Sequence, residues 1–145
     1  MVVGASGSGK SRLVEEWTAS LRGALGARVF PGRCDPRESV PFRGLDALED
    51  QLTPHGPGRL RLTATTPTID PIPSREARER AFAALRDRLV EEATRRPVVV
   101  WVDDAQWAGP DTLALLVDLA RPPLPTGLLF VVTARTDVHF PPEIV

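Results

Sequence analysis

The feature that most constrains this chain is a glycine-rich stretch close to its beginning, Gly4-Ala5-Ser6-Gly7-Ser8-Gly9-Lys10-Ser11. It fits the pattern G-x-x-x-x-G-K-[ST] with no mismatch, between the apolar residues 1–3 and an amphipathic run. That context predicts a strand, a tight turn and a helix. Glycines in the turn allow successive backbone N–H groups to point inward, and the start of the helix adds positive electrostatic potential. The stretch therefore predicts a loop that binds phosphate groups.

Two side chains at the end of this stretch carry the predicted chemistry. Lys10 is predicted to reach the β- and γ-phosphates of a nucleotide, and the Ser11 hydroxyl is predicted to ligate Mg²⁺. Composition supports this, because Lys10 is the only lysine among the 18 basic residues of the chain. A compact ammonium, and not a planar guanidinium, occupies the position where a phosphate contact is expected. The alternative is a glycine-rich turn that holds no ligand.

The overall composition limits the class of protein. With 145 residues, of which 42% are hydrophobic and 26% charged, the chain is predicted to be one globular domain with its own core. A net charge of −1 gives no reason to expect nucleic acid or an anionic membrane as a partner. The sequence has no basic N-terminal region and no apolar run of membrane length, which predicts a cytoplasmic protein. Cys34 is the single cysteine, which predicts a buried or idle thiol.

Helical and extended patterns alternate after the glycine-rich stretch. A helix is predicted over residues 10–24 and a short strand over residues 27–30, followed by a loop that contains Pro31, Gly32 and Pro36. The residues of the helix that are predicted to face the core are Leu13, Val14, Trp17 and Leu21. A second helix is predicted from Pro41. Its apolar stripe consists of Phe42, Leu45, Leu48 and Leu52. Residues 53–73, which are rich in proline, predict an irregular insertion with His55 as a solvated loop residue.

The second half of the chain continues the alternation. Ser74 is a predicted N-cap of a helix that runs to about residue 95, with Ala81, Phe82, Leu85 and Leu89 facing inward. The mixed charges of residues 75–80 favour a solvated helix face over a nucleic-acid patch. Residues 98–102 form a continuous apolar run that is typical of the centre of a parallel sheet. A further helix over 110–120 and a strand over 128–132 complete the pattern, which predicts an α/β fold with a parallel sheet.

Polar residues follow the two later strands at the points where these strands end. Asp103 is predicted to hold the hydration shell of Mg²⁺, and Asp104 to polarise a water molecule for attack on a γ-phosphate. The alternative is a pair of aspartates that form a turn. Arg135 is predicted to read the γ-phosphate, with an exposed arginine as the alternative. Thr133 is a weaker candidate for a polar sensor, and His139 is predicted to be structural or solvated.

These segments together resemble a known family. The sequences Asp103-Asp104-Ala105-Gln106-Trp107, Gly32-Arg33-Cys34 and Thr133-Ala134-Arg135, with the glycine-rich loop, are similar to the AAA-like ATPase domain of STAND signal-transduction ATPases. Such domains occur in large LuxR-type transcriptional regulators and in bacterial regulators fused to kinases or cyclases. The resemblance covers essentially the whole chain.

The resemblance implies both a topology and roles for single residues. Lys10 and Ser11 would be the Walker A pair, Asp103 and Asp104 the Walker B pair, and Arg135 the arginine after the sensor strand. The implied fold is a P-loop NTPase three-layer sandwich with strand order 2-3-4-1, which in the family continues into a fifth strand, a helical lid and a winged-helix domain. Where the family usually continues Trp-Ala-Asp, this chain has Gly109, and Asp111 follows two residues later.

The sequence thus predicts that residues 1–145 are a partial P-loop ATPase core, truncated before the fifth strand and the lid. Its predicted ligands are ATP or ADP with Mg²⁺, and its predicted function is a slowly hydrolysing nucleotide switch in a bacterial signalling or transcriptional regulator. Expected partners are fused effector and sensor domains and, depending on nucleotide, further copies of the chain. The alternatives are a turnover enzyme, such as a small-molecule kinase or motor-type ATPase, and a nucleotide-binding module without hydrolysis. A GTPase is disfavoured because its base-reading motif needs a second lysine.

Overall fold

The sheet of this domain is built around the apolar strand Val98–Asp103, which follows the helix Arg75–Arg95. The computed structural model describes residues 1–36, 45–52, 75–138 and 140, and within these ranges it contains four strands and four α-helices. The strands are β1 (Val2–Gly4), β2 (Arg28–Arg33), β3 (Val98–Asp103) and β4 (Leu128–Arg135). The helices are α1 (Lys10–Leu25), α2 (Asp46–Leu52), α3 (Arg75–Arg95) and α4 (Pro110–Leu119), and a short 3₁₀ turn spans Ala105–Trp107. The predicted α/β class is confirmed.

All the described strands are parallel and form one sheet in the order β1-β4-β3-β2. This is the predicted order 2-3-4-1 counted from the opposite edge. β3 lies between β2 and β4, with Val98 in register with Arg28 on one side and Leu128 on the other. A strand in that position is covered on both faces, which explains why residues 98–102 are apolar without alternation.

The helices cover both faces of the sheet, so that the domain has the three predicted layers. On one face, side chains of α2, α3 and α4 pack with Val98, Val100 and Val102 of β3 in the larger core cluster. On the other face, Val14 of α1 packs with Val99 and the neighbouring strands in a smaller cluster. Successive residues of β3 thus enter different cores, because side chains alternate across a strand. Cys34 is buried in the larger cluster, as predicted.

The strand β2 is longer than predicted, because Pro31, Gly32 and Arg33 belong to it and not to a loop. The N–H groups of Arg28 and Cys34 donate to the carbonyls of Pro97 and Asp103, so the even-numbered residues of this strand face β3. Pro31 is odd-numbered, so its nitrogen points away from β3. A proline is tolerated there because no hydrogen bond between β2 and β3 is lost.

The prediction for the inner face of α1 is wrong at two of its four residues. Val14 is buried and Leu21 packs partly against the smaller cluster, but Leu13 is 62% exposed and Trp17 is 39% exposed. Thr18, with its hydroxyl bonded to the Glu15 carbonyl, takes a buried place on this helix. The buried face of α1 is therefore rotated about the helix axis relative to the stripe predicted from apolar spacing. The side of the helix that carries Val14 and Thr18 is buried, and the side that carries Leu13 and Trp17 is exposed.

Other elements agree with the predictions or fall outside the described part of the chain. In α3, Leu85 and Leu89 are fully buried, Ala81 is buried and Phe82 packs against the larger cluster. β4 continues past the predicted end at residue 132, and α4 ends at Leu119. The predicted insertion at 53–73, the helix starts at Pro41 and Ser74, and His55 and His139 lie outside the described residues. None of the helices that are described has the length and apolar character needed to cross a membrane.

Candidate functional site

The glycine-rich loop joins β1 to α1 and begins the site. Gly7 and Gly9 have φ angles of 74° and 85°, in the left-handed region that residues with a side chain rarely adopt. Gly9 is the N-cap of α1, and its carbonyl accepts from the N–H of Leu13 at 2.9 Å. The Lys10 ammonium lies over the loop and donates to the carbonyls of Gly4 and Ala5 at 3.0 and 2.9 Å. The loop is thus a tight turn at a helix start, with its one cation held above it.

The second predicted half of the site is in direct contact with the first. Ser11 Oγ donates to Asp103 Oδ1 at 2.7 Å, although the two residues are 92 positions apart. Asp103 is buried at the end of β3, and the buried Thr133 hydroxyl of β4 also donates to its Oδ1. The structure therefore brings together the serine, the first aspartate and the threonine that the sequence singled out.

Asp104 follows β3 and is the N-cap of the 3₁₀ turn Ala105–Trp107. Its backbone is left-handed, with φ 54° and ψ 40°, a conformation that aspartate tolerates better than most residues. Its N–H donates to Thr133 Oγ1 at 3.2 Å. Arg33 Nη2 contacts Asp104 Oδ2 at 3.0 Å, and Gln106 Nε2 donates to Asp104 Oδ1 at 3.0 Å. Both carboxylate oxygens of Asp104 are thus engaged by neighbouring side chains.

Arg135 lies at the same edge of the sheet, in register with Gly4 at the beginning of the loop. Its guanidinium makes an ion pair with Asp137, with Nη2 at 2.9 Å from Oδ2, and the side chain is about two-fifths exposed. Its backbone N–H donates to Gln106 Oε1 at 3.3 Å. The backbone of Arg135 therefore lies beside the start of the loop, and its side chain is directed to Asp137.

The comparisons with known proteins agree with this geometry. A family model described as "AAA ATPase domain" matches residues 1–132 of the chain. The chain belongs to the AAA ATPase domain family. No curated protein and no solved structure matches it. Membership in the family gives this AAA ATPase domain a P-loop and a nucleotide-binding function. The match ends one residue before Thr133, so it does not extend to Thr133 or Arg135.

The residues of this AAA ATPase domain fit a magnesium ion of the kind that its family uses with nucleotide. Ser11 and Asp103 offer a hydroxyl and a carboxylate oxygen side by side, and oxygen is the ligand that Mg²⁺ prefers. No cluster of three or more histidine, cysteine or acidic residues suited to a metal occurs in the described ranges. Mg²⁺ usually binds through one or two protein ligands, waters and substrate phosphates, so the pair fits this role.

The sequence predicts no function for two residues of the site. Arg33 and Gln106 lie within quoted motifs, yet only the structure brings them to the Asp104 carboxylate. The one sequence signal was the position of Gln106 two residues after the second aspartate. No such signal marks Arg33, because the sequence predicts a loop at this position and arginine is abundant throughout the chain.

The departure from the family pattern after Trp107 has a structural counterpart at the start of α4. Gly109 is the N-cap of this helix in an extended conformation, and Pro110 occupies the first turn, where its missing N–H costs nothing. Asp111 makes an ion pair with Arg78 of α3, with Oδ1 at 3.2 Å from Nη1. Asp111, which stands two residues after Gly109, is therefore paired with α3, a helix of the larger core.

Proposed function

We propose that this AAA ATPase domain binds ATP with Mg²⁺ and hydrolyses it slowly, as the nucleotide-switch core of a cytoplasmic bacterial signalling or transcriptional regulator. The observation that carries the proposal is the 2.7 Å contact between Ser11 Oγ and Asp103 Oδ1. It joins the glycine-rich loop to the acidic end of β3, and a Mg²⁺–nucleotide site in a P-loop ATPase needs both parts.

The glycine-rich loop would supply the phosphate contacts. Backbone N–H groups of Gly4, Ala5, Ser6, Gly7, Ser8 and Gly9 would surround the β-phosphate at the start of α1, where the helix dipole favours an anion. Lys10 would turn from the Gly4 and Ala5 carbonyls to the β- and γ-phosphates. Ser11 and Asp103 would hold Mg²⁺, which neutralises charge on the β- and γ-phosphate oxygens when it is bound.

Asp104 is the proposed catalytic base. It would accept a proton from a water molecule whose oxygen forms a bond to the γ-phosphorus, while the bond from phosphorus to the β,γ-bridging oxygen breaks. The products are ADP and inorganic phosphate, and the proton passes from Asp104 to solvent. Asp104 directly follows Asp103 in the chain, and its carboxylate is held by Arg33 and Gln106.

Arg135 is the proposed sensor of the γ-phosphate. It lies in register with Gly4, and its ion pair with Asp137 is partly solvent-exposed. Such a pair costs little to exchange for a phosphate oxygen, because exposed ion pairs contribute only about 0–1 kcal/mol. Release from Asp137 would let the guanidinium make a bidentate contact that ADP does not offer.

A switch needs two states that bind ATP and ADP with different affinity. The γ-phosphate is the chemical difference between these nucleotides, and slow hydrolysis would reset the ATP state. Fused effector and sensor domains, and further copies of the chain, are the proposed partners that read the state. With a net charge of −1, the domain itself offers no general attraction for nucleic acid.

The proposal is tested by measuring Mg²⁺-dependent ATP binding by calorimetry and phosphate release under single-turnover and steady-state conditions. We expect binding and a turnover far below the ~1–100 s⁻¹ of kinases. Turnover within the kinase range would indicate a small-molecule kinase or a motor-type ATPase instead. Binding without any phosphate release in a single turnover would indicate a nucleotide-binding module that does not hydrolyse.

A further inference from the structure

One side chain connects the second aspartate of the site to the end of β4. The Gln106 amide nitrogen donates to Asp104 Oδ1 at 3.0 Å, and its amide oxygen accepts from the backbone N–H of Arg135 at 3.3 Å. The backbone register between β3 and β4 ends at Val102 and Val132. Gln106 therefore continues the connection between these strands beyond the point where their backbone pairing stops.

The chemistry of the two partners fixes which way the Gln106 amide points. A carboxylate accepts hydrogen bonds and a backbone N–H donates one, so the NH₂ group must face Asp104 and the oxygen must face Arg135. Glutamate at this position would keep the acceptor, lose the donor and add a negative charge next to Asp104. Methionine would keep the approximate length but neither polar function. Among these side chains, glutamine alone serves both partners.

Of the two side chains that contact the Asp104 carboxylate, Gln106 constrains it more strongly. The other contact, Arg33, has a side chain that is 74% exposed, and exposed ion pairs constrain their partners weakly. Gln106 is half-buried and stands on the 3₁₀ turn, which is itself tied to Asp104 by the hydrogen bond from the Trp107 N–H to the Asp104 carbonyl at 3.0 Å. This turn holds the amide in front of the carboxylate.

We propose that Gln106 is a positioning residue, which orients the Asp104 carboxylate for its reaction with water and sets its place relative to the end of β4. This inference rests on the proposed function, because it assigns Gln106 to the same hydrolytic site. The amide acts on the reaction only through Asp104, so its loss lowers the rate of the chemical step and leaves the phosphate contacts of the loop unchanged.

The test compares Gln106→Met, Gln106→Glu and the matched control Gln51→Met in the full chain, since Gln51 is an exposed glutamine on α2. For each variant, ATP affinity, the single-turnover rate of phosphate release and the unfolding midpoint are measured. We expect Gln106→Met to lower the rate about tenfold to a hundredfold, as for the loss of a hydrogen bond to a charged group. Its ATP affinity should stay within about twofold of the parent, because only the transition state needs the oriented carboxylate.

Gln106→Glu should lower the rate further than Gln106→Met, because its carboxylate would repel that of Asp104. A parental rate in Gln106→Glu would overturn the proposal, since the contact with the Arg135 N–H alone would then be sufficient. Gln106→Met at the parental rate would overturn it as well. So would parallel losses of rate, affinity and unfolding midpoint, which indicate a structural role.

The outcomes also separate this inference from the proposed function. If the parent binds and hydrolyses ATP and Gln106→Met hydrolyses it at the same rate, only the proposed role of Gln106 is overturned. A parent that binds no ATP, or that binds ATP without releasing phosphate, overturns the hydrolytic function and the role of Gln106 together.

Discussion

The two halves of the candidate site are built in different ways. The half that is proposed to bind phosphate consists of eight consecutive residues, Gly4-Ala5-Ser6-Gly7-Ser8-Gly9-Lys10-Ser11, and most of its proposed binding groups belong to the backbone. The half that carries the acids consists of side chains from β2, β3, β4 and the 3₁₀ turn. These residues are linked by hydrogen bonds between positions 29 to 71 residues apart, besides the local contact between Gln106 and Asp104. The hydrogen bond from Ser11 to Asp103, 92 positions apart, joins the two halves.

This difference teaches that, in the proposed mechanism, binding and chemistry depend on different kinds of structure in the domain. The loop needs left-handed glycines and a helix start, which a short sequence can specify by itself. The acid half needs strand order and register, because Asp103 meets Ser11 and Thr133 only when β3 lies beside β4 and close to the start of α1. Substitutions in the first half should therefore affect binding, and those in the second half should affect the rate.

The largest expected effect is in the phosphate half. Lys10→Ala should abolish detectable ATP binding, because the phosphates lose their only lysine contact. Calorimetric titration with Mg²⁺ and ATP measures this, with Arg12→Ala as the control. Arg12 is an exposed basic residue of the same helix, paired with Glu16, and its loss should leave binding close to that of the parent. Retained binding in Lys10→Ala would show that the Lys10 ammonium does not hold the phosphates.

In the acid half, Asp104→Asn should separate chemistry from binding. The amide cannot accept the proton of the attacking water, so the rate of phosphate release should fall about a hundredfold to ten-thousandfold. ATP affinity should stay near the parental value, since the loop and Asp103 are unchanged. Single-turnover assays and titrations of the same preparation test both statements. Equal rates in the variant and the parent would exclude Asp104 as the base.

Arg135 tests whether the edge between the two halves distinguishes the nucleotides. Arg135→Ala should weaken ATP binding about tenfold to a hundredfold, the value of a charge-assisted hydrogen bond, and leave ADP binding nearly unchanged. Arg95→Ala is the matched control, because Arg95 is an exposed arginine in an ion pair near the opposite end of the sheet. If affinity for both nucleotides falls equally, Arg135 is structural and Thr133 is the next candidate sensor.

The last prediction concerns folding stability, and it tests the threonine that connects the two aspartates. Thr133→Val removes the hydroxyl that donates to Asp103 and accepts from the Asp104 N–H, and keeps the shape of the buried side chain. We expect the free energy of unfolding to fall by about 0.5–1.5 kcal/mol for the lost bond to the Asp104 N–H and by about 1.5–3 kcal/mol for the lost bond to the Asp103 carboxylate. Thr133→Ser keeps the hydroxyl and should retain more of this stability in urea unfolding than the valine variant. The opposite ranking would show that the methyl group matters more than the hydroxyl.

Much of this arrangement can be predicted from the sequence. The glycine-rich loop, the order of strands and helices, and the burial of Leu85 and Leu89 follow from local patterns in the sequence. The strand order in the sheet agrees as well, but it is implied by the family resemblance, since periodicity does not specify which strands are neighbours. The errors lie where only the packing decides, as for Trp17, whose apolar character gives no information about the side on which α1 meets the sheet.

The sequence alone determined that a phosphate-binding loop precedes a helix and that two aspartates end an apolar strand. These features depend on residue types at fixed short spacing, which act through backbone geometry and side-chain periodicity. Only the tertiary structure decided that Arg33 and Gln106 hold the Asp104 carboxylate and that Thr133 bonds to both aspartates. Apart from the local contact of Gln106, these contacts join residues that parallel strands bring together across long crossovers, so their distance in space cannot be derived from their distance in the chain.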